Sequence, residues 1–350
     1  MTGVRTAVVG RSSAATPEDA RRVVAAPDKL RGTATAAEVA AAISRAAATA
    51  GWACDQVPMA DGGEGTLLAL GGPNRTSTVT GPLGARVEAA WRLDGRTAVI
   101  EMARASGLEL AGGADANDPV AASTAGTGEL IVEAIDTGAN RVIVGLGGSA
   151  TTDGGLAALR ALHPFGRLKG IELLVAYDAR VPFLDAATVF APQKGATPAQ
   201  VELLRRRLER LAQVYLVEHG VDVLALEGAG AAGGLAGGLA AAGGRLVSGF
   251  DLVAEELELD ERIEGADLVI TAEGFLDAQS FEGKVVGGVA ALAGAVGVRV
   301  VAIAGQVFDG MDDRIEAISL VDRFGEGRAH ADTLACIEEV AGDVLAGHGA

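Results

Sequence analysis

Residues 141–162 read "RVIVGLGGSATTDGGLAALRAL". The opening residues form a β-branched run suited to a buried strand, and the closing "LAALRAL" spaces its apolar side chains as a helix does. Between them, residues 145–155 ("GLGGSATTDGG") place a serine, two threonines and an aspartate between glycine doublets. Glycine lets successive backbone N–H groups converge on an anion, and a following helix adds positive potential. Hydroxyls add donors, and an aspartate beside them suits Mg²⁺ or the proton of an attacking alcohol. On this logic Gly147, Gly148, Ser149, Thr151, Thr152 and Asp153 make a turn for phosphate and metal. The plainer alternative, a tight turn that caps a helix, needs only one or two glycines.

The same strand–glycine–helix grammar recurs outward from this turn. Towards the N-terminus, a strand at Val23–Ala26 leads into a loop and a helix from about Thr35 to Ala50. A second strand, near Gln56–Pro58, precedes "MADGGEGT" and a helix from about Gly65. Residues 74–103 instead alternate apolar and polar positions around "GPLG" and "LDGR", the pattern of antiparallel strands. Downstream come the strand "IELLVAYDA", a helix from about Pro198 to His219, the strand-like "VDVLAL", and further α/β units from "ADLVI" to the closing helix. The expected fold is α/β. A doubly wound Rossmann-like domain takes residues 21–79 and 255–350, and a second α/β domain with mixed and antiparallel strands is inserted at 80–254. Residues 1–20 read as a flexible extension.

Composition narrows the function. The net charge of −17 argues against nucleic acid or an anionic membrane surface as partner, though a local cradle of amides still suits a small anion. The two cysteines, Cys54 and Cys336, have neither metal nor disulfide spacing, and the four histidines show no triad. The apolar stretch at 228–244 is too short and glycine-rich to span a bilayer, so a cytoplasmic protein is expected. No P-loop occurs; any nucleotide phosphates must be held by another glycine device. Gly145-x-Gly147-x-x-Ala150 and Gly228-x-Gly230-x-x-Gly233 match the dinucleotide pattern, so an NAD-dependent dehydrogenase is a rival reading.

Three further stretches carry chemistry. In "MADGGEGT", Asp61 and Glu64 flank a glycine pair and suit a divalent cation. In "APQKGAT", Gln193 and Lys194 precede a helix, where the lysine suits a phosphate or carboxylate. "TAEGFLDAQSFEGK" sets Glu273, Asp277, Gln279, Ser280 and Lys284 after a strand end, where ligands of open α/β sheets bind.

Read in order, "PMADGGEGT", "EMARASGL", "GTGELI", "VGLGGSATTDGG", "FAPQKGAT", "GAGAAGG" and "ADLVITAEGFLDAQSFEGK" resemble the two-domain, non-P-loop bacterial glycerate kinase family. The resemblance spans roughly residues 22–345. It implies transfer of a phosphoryl group from ATP, with Mg²⁺, to D-glycerate in a cleft between domains, giving 2-phosphoglycerate or, in some members, the 3-phosphate. On this reading Gly147, Gly148, Ser149, Thr151 and Lys284 hold the phosphates, and Asp61, Glu64 and Asp153 hold the metal. Asp28, Arg31, Gln193, Glu273, Gln279 and Ser280 bind substrate, while Asp178, Asp277 and Lys194 are catalytic. The sequence departs from the family pattern at Lys29, Val181, Ala272 and Phe275, which keeps a non-catalytic or substrate-shifted relative as an alternative. Homodimerisation is left open.

Overall fold

The computed structural model describes residues 21–30, 32–311 and 313–348. The expected extension at 1–20 and the substrate candidate Arg31 lie outside the described residues. Among the described residues, eleven strands form two sheets. The first orders β11 (Glu316–Ser319), β10 (Arg299–Val307), β9 (Leu268–Leu276), β1 (Arg22–Ala25) and β2 (Ala53–Gln56), all parallel. The second orders β3 (Arg75–Thr80), β4 (Arg86–Asp94), β5 (Thr97–Glu101), β6 (Arg141–Gly145), β7 (Glu172–Tyr177) and β8 (Arg245–Ser248). Its β3–β4–β5 edge is antiparallel and β5 to β8 run parallel.

The doubly wound character follows from strand periodicity. In β1, Val23 and Ala25 pack on one face with the helices Ala36–Ala50 and Thr333–Gly347. Val24 packs on the other, with Gly249–Glu256 and Val285–Val296. Alternate side chains point to opposite faces, and a strand covered by helices on both must be apolar throughout. In the second sheet, Val142 and Val144 meet the helices Ala125–Asp136 and Ala231–Ala241, while Ile143 meets Leu67 and Leu252 on the reverse.

Local chemistry sets the element ends. Thr35 and Glu38 form a reciprocal capping box, with Thr35 N–H donating to Glu38 at 2.9 Å. Thr197 and Gln200 form another, and Gly220 closes that helix, so it runs over Pro198–His219. "VDVLAL" is not a strand: Asp222 accepts the Leu224 N–H at 3.1 Å, a local bond that competes with strand pairing. The helix expected from about Gly65 is a single turn, Thr66–Ala69. Among the described residues no helix is long and apolar enough to cross a membrane.

Candidate active site

In the first sheet the order reverses between β1 and β9, the switch point at which a crevice opens beyond the carboxyl ends of the strands. Asp28 follows β1, Asp61 follows β2 and Glu273 lies near the end of β9. The Asp28 N–H donates to the Ala272 carbonyl at 2.8 Å, which seats Asp28 beside Glu273. From the second sheet, Asp178 follows β7 directly.

The glycine turns of the two sheets touch. Leu146 N–H donates to the Gly62 carbonyl at 2.9 Å, and a Cβ on Gly147 would stand 2.5 Å from Gly63 Cα. Only glycine permits that approach. A third loop joins from β5: Leu108 N–H donates to the Gly148 carbonyl at 2.9 Å, and Ala150 N–H to Ser106 at 3.0 Å. Gly148 itself sits at φ +70°, a left-handed turn that presents its carbonyl to Leu108. Glu101, buried at the end of β5, accepts the Gly65 and Leu67 N–H groups at 2.9 and 3.0 Å and the Arg104 guanidinium at 3.2 Å. It thereby fastens the Asp61 turn to the second sheet.

The carboxylates of the crevice act on one another. Burial pushes the Asp28 carboxyl up to about 6; Lys29 pulls it back, and the charge of Asp61 adds to the rise. Burial likewise pushes Glu273 up to about 7, opposed by Ser280 and Lys284 and reinforced by Asp28 and Asp277. Asp178 reaches solvent on one side, yet the surrounding protein and the Asp61 charge raise its carboxyl, with Lys284 and Lys29 opposing. Glu273 Oε1 is buried without a hydrogen-bond partner among the described residues.

Beneath the turn after β6 lies a second polar cluster. Lys194 is only 3% exposed; its ammonium donates to Ser149 Oγ at 2.8 Å and to the Thr151 carbonyl at 2.7 Å. Burial pulls this lysine down to about 7, and Asp153 opposes the fall. Asp153 takes four donors: Thr124 N–H and Oγ1 at 3.0 and 2.8 Å, Gly155 N–H at 3.0 Å and Ala157 N–H at 3.4 Å. Those bonds join the starts of the helices Ala125–Asp136 and Leu156–Leu162. Tyr215 supports the turn from behind, its hydroxyl donating to the Gly154 carbonyl at 2.8 Å. The Thr151 and Thr152 hydroxyls are buried without partners among the described residues.

A convergent set of glycine turns thus meets a carboxylate crevice, with a cleft lined by Lys29, Glu64, Glu101 and Gly148 beside them. The sequence model described as "Glycerate kinase family" matches residues 23–165 and 163–344. The chain belongs to the glycerate kinase family. Glycerate 2-kinase of Escherichia coli K12 is 40% identical over 328 residues, covering 82% of this chain and 86% of that protein. A glycerate kinase of Halalkalibacterium halodurans is 38% identical, covering 86% and 91%. A crystal structure given as glycerate kinase 2 from Salmonella typhimurium LT2 superposes with a TM-score of 0.79 at 36% identity, covering 93% of this chain and 98% of that one. The protein is accordingly a kinase.

Seen as a glycerate kinase, the chain distributes its candidate residues unevenly. Asp28, Asp61, Asp178, Glu273 and Lys284 come together at the crevice. Gly147, Gly148 and Ser149 lie where the glycine turns meet, and Glu64 lines the adjoining cleft. Three candidates are engaged by the protein itself. Asp153 is enclosed by the four donors at the helix starts. Lys194 is buried under the Ser149 turn. Asp277 caps its own turn, Oδ1 accepting the Gln279 and Ser280 N–H groups at 2.8 and 3.3 Å, while Ser280 Oγ accepts the Asp277 N–H at 3.1 Å. Gln193 and Gln279 are exposed.

The dinucleotide reading also fails. Among the described residues no strand runs directly into Gly228, and its glycines serve packing: a Cβ on Gly230 or Gly233 would meet the Pro182 or Thr151 carbonyl at 2.3 or 1.9 Å. Residues missed from sequence are Glu101, Thr124 and Asn117, whose side-chain amide donates to the Ala150 and Lys194 carbonyls at 3.1 and 2.9 Å. Glu101 alone left a signal, as a charged residue at the end of an otherwise apolar strand.

Among the described residues no group of three or more carboxylate, histidine or cysteine side chains is placed to hold a metal ion. Mg²⁺ commonly takes one or two carboxylates and completes its shell with substrate phosphates and water. Asp61, whose Oδ1 accepts only the Gly63 N–H at 3.2 Å among the described residues, meets that need, so the donor set fits.

Proposed function

We propose that this enzyme transfers the γ-phosphoryl group of ATP to the 2-hydroxyl of D-glycerate. The observation that carries the reading is the meeting of the glycine turns after β2 and β6 beside four strand-end carboxylates. The name of the Escherichia coli relative supports the 2-position. Phosphoryl transfer of this kind depends on positioning and charge neutralisation more than on covalent help, which suits amide donors on a turn anchored by three loops.

In the proposed mechanism, backbone N–H groups of Gly147, Gly148 and Ser149 bind the phosphate tail. Lys194 lies behind Ser149 and orients it without touching the ligand. Asp61, with Glu64 at the cleft wall, would hold Mg²⁺, which supplies neutralising charge to the phosphates when bound. Lys284 faces the carboxylate of glycerate. The substrate hydroxyl oxygen forms the new bond to phosphorus as the bond to the β-phosphate oxygen breaks, and the hydroxyl proton passes to Asp178. We assign the base to Asp178 over Asp277 because Asp277 is engaged in its cap, whereas Asp178 reaches solvent with a raised carboxyl. A carboxyl tuned towards neutrality is a better base for an alcohol.

A phosphorus NMR spectrum of the product from D-glycerate and ATP tests activity and position together. A 2-phosphoglycerate signal is expected. A 3-phosphoglycerate signal would move the acceptor hydroxyl, and no product from folded protein would remove the reading.

A further inference from the structure

The stretch "EMARASGL", residues 101–108, runs beside the turn after β6 and is tied to it at both ends. Met102 N–H donates to the Gly145 carbonyl and Leu108 N–H to the Gly148 carbonyl, each at 2.9 Å, and Gly107 pairs with Ser149 in an antiparallel bridge. Between those ties, a Cβ on Gly148 would stand 3.2 Å from Ala103 Cβ, which puts Arg104 one residue from direct contact with the turn. Arg104 and Gly148 line the same cleft. We infer that the Arg104 guanidinium binds the phosphate tail of the phosphoryl donor and neutralises the charge its β-phosphate gains as the γ-phosphoryl group leaves. The inference rests on the kinase reading above and deepens it.

Three observations carry it. The side chain is aimed by its neighbours: Arg104 Nε donates to Glu101 Oε2 at 3.2 Å, and the buried Glu101 is itself held through Oε1 by the Gly65 and Leu67 N–H groups. What remains free is the edge that recognises anions. Among the described residues neither Nη of Arg104 has a hydrogen-bond or ion-pair partner, and the side chain is 47% exposed. Two coplanar Nη groups match two oxygens of a phosphate. The third observation is position. Lys29 and Lys284 are the cations that act most on the crevice carboxylates Asp28, Asp178 and Glu273. Lys194 places its charge behind the turn, under Ser149. Arg104 stands beside Gly148, where amide donors meet the phosphate tail in the proposed mechanism.

Calorimetric binding of ATP and of inorganic tripolyphosphate, each with magnesium and without acceptor, tests this in the parent, R104M and R104K. R104M should weaken both ligands by about ten- to a hundredfold, the weight of hydrogen bonds to a charged group, while the KM for glycerate stays within about twofold. R104K keeps the charge without the planar fork and should recover only part of that loss. The unfolding midpoints of both variants should match the parent, because a half-exposed ion pair contributes little to stability. Unchanged affinity for both ligands in R104M would reduce Arg104 to a partner of Glu101 and overturn the assignment. A raised KM for glycerate with binding of both ligands intact would turn the guanidinium to the acceptor and overturn it equally. Because binding is read without turnover, weakened binding in R104M beside a parent inactive on glycerate sinks only the acceptor. Turnover of glycerate with unchanged binding in R104M sinks only the role of Arg104.

Discussion

The turn after β6 and the crevice at the ends of β1, β2, β7 and β9 face one cleft but are built on opposite principles. In the turn, charged side chains point inward and are satisfied by the protein: Asp153 receives four donors and Lys194 two acceptors. In the crevice, burial raises the carboxyls and their like charges add to the rise, and Glu273 keeps an oxygen without a partner among the described residues. In the turn, the Thr151 and Thr152 hydroxyls have no partner among the described residues, so it is the satisfied charges that fix the geometry a receptor for a phosphate tail requires. An unsatisfied acidic crevice stays ready for a cation and a proton. The difference predicts that mutations in the turn act on stability and those in the crevice on rate.

The sharpest break would come at Asp178. Its removal as D178N should lower kcat by about 10²- to 10⁴-fold, the usual weight of a general base, with the unfolding midpoint unchanged. Steady-state kinetics beside a denaturant titration give both numbers. A kcat within tenfold of the parent would move the base to Asp28 or Glu273.

Asp153 should behave in the opposite way. D153A leaves the Thr124, Gly155 and Ala157 donors buried without their acceptor, and each such group costs about 1–3 kcal/mol. A net loss of roughly 2–4 kcal/mol in urea unfolding is expected, since relaxation and water offset part of the sum. A stable but inactive D153A protein would return this residue to the metal and erase the contrast between the two walls.

These two aspartates also mark what the sequence could and could not disclose. The strand–turn–helix grammar was legible, because glycine positions and apolar periodicity are local signals. Both ends of the Pro198–His219 helix were legible for the same reason, through Thr197 and Gly220. The division of labour among polar residues was not. Asp153 looks like a ligand until Thr124, 29 positions away, is found bonded to it. Lys194 looks like a surface cation until the fold buries it under Ser149, 45 positions away. "VDVLAL" misled because one short side chain, Asp222, redirected the backbone.

Lys194 offers a pH test of the same contrast. Its ordinary value near 10.5 applies to the unfolded chain, whereas burial holds it at about 7 in the fold. Between those values the unfolded state binds the extra proton, so stability contributed at this site rises with pH, by at most about 1.4 kcal/mol per unit. The unfolding free energy of the parent minus that of K194M should therefore grow from pH 7 to pH 9. A flat difference would mean that Lys194 stays charged in the fold and pairs with Asp153 more strongly than its surroundings suggest.

The smallest effect is expected where strain looks greatest. Ala232 adopts φ 53° and ψ 40° at a kink in the first turn of the helix Ala231–Ala241, next to the turn after β6. Gly233 sets that conformation: a Cβ there would meet the Thr151 carbonyl at 1.9 Å, and its own carbonyl accepts the Gly154 N–H at 3.1 Å. Left-handed backbone costs an L-residue about 1–2 kcal/mol, which A232G would relieve. Against that gain stand the extra freedom of glycine in the unfolded chain, about 0.4–1 kcal/mol, and the lost burial of a methyl group, about 0.8 kcal/mol. The terms nearly cancel, so A232G should unfold within about 0.5 kcal/mol of the parent. G233A, one residue on, has no compensating gain and should lose several times as much. If A232G instead proves clearly more stable, the strain at Ala232 is unsupported by its packing, and the satisfied wall of the cleft is less rigid than its hydrogen bonds imply.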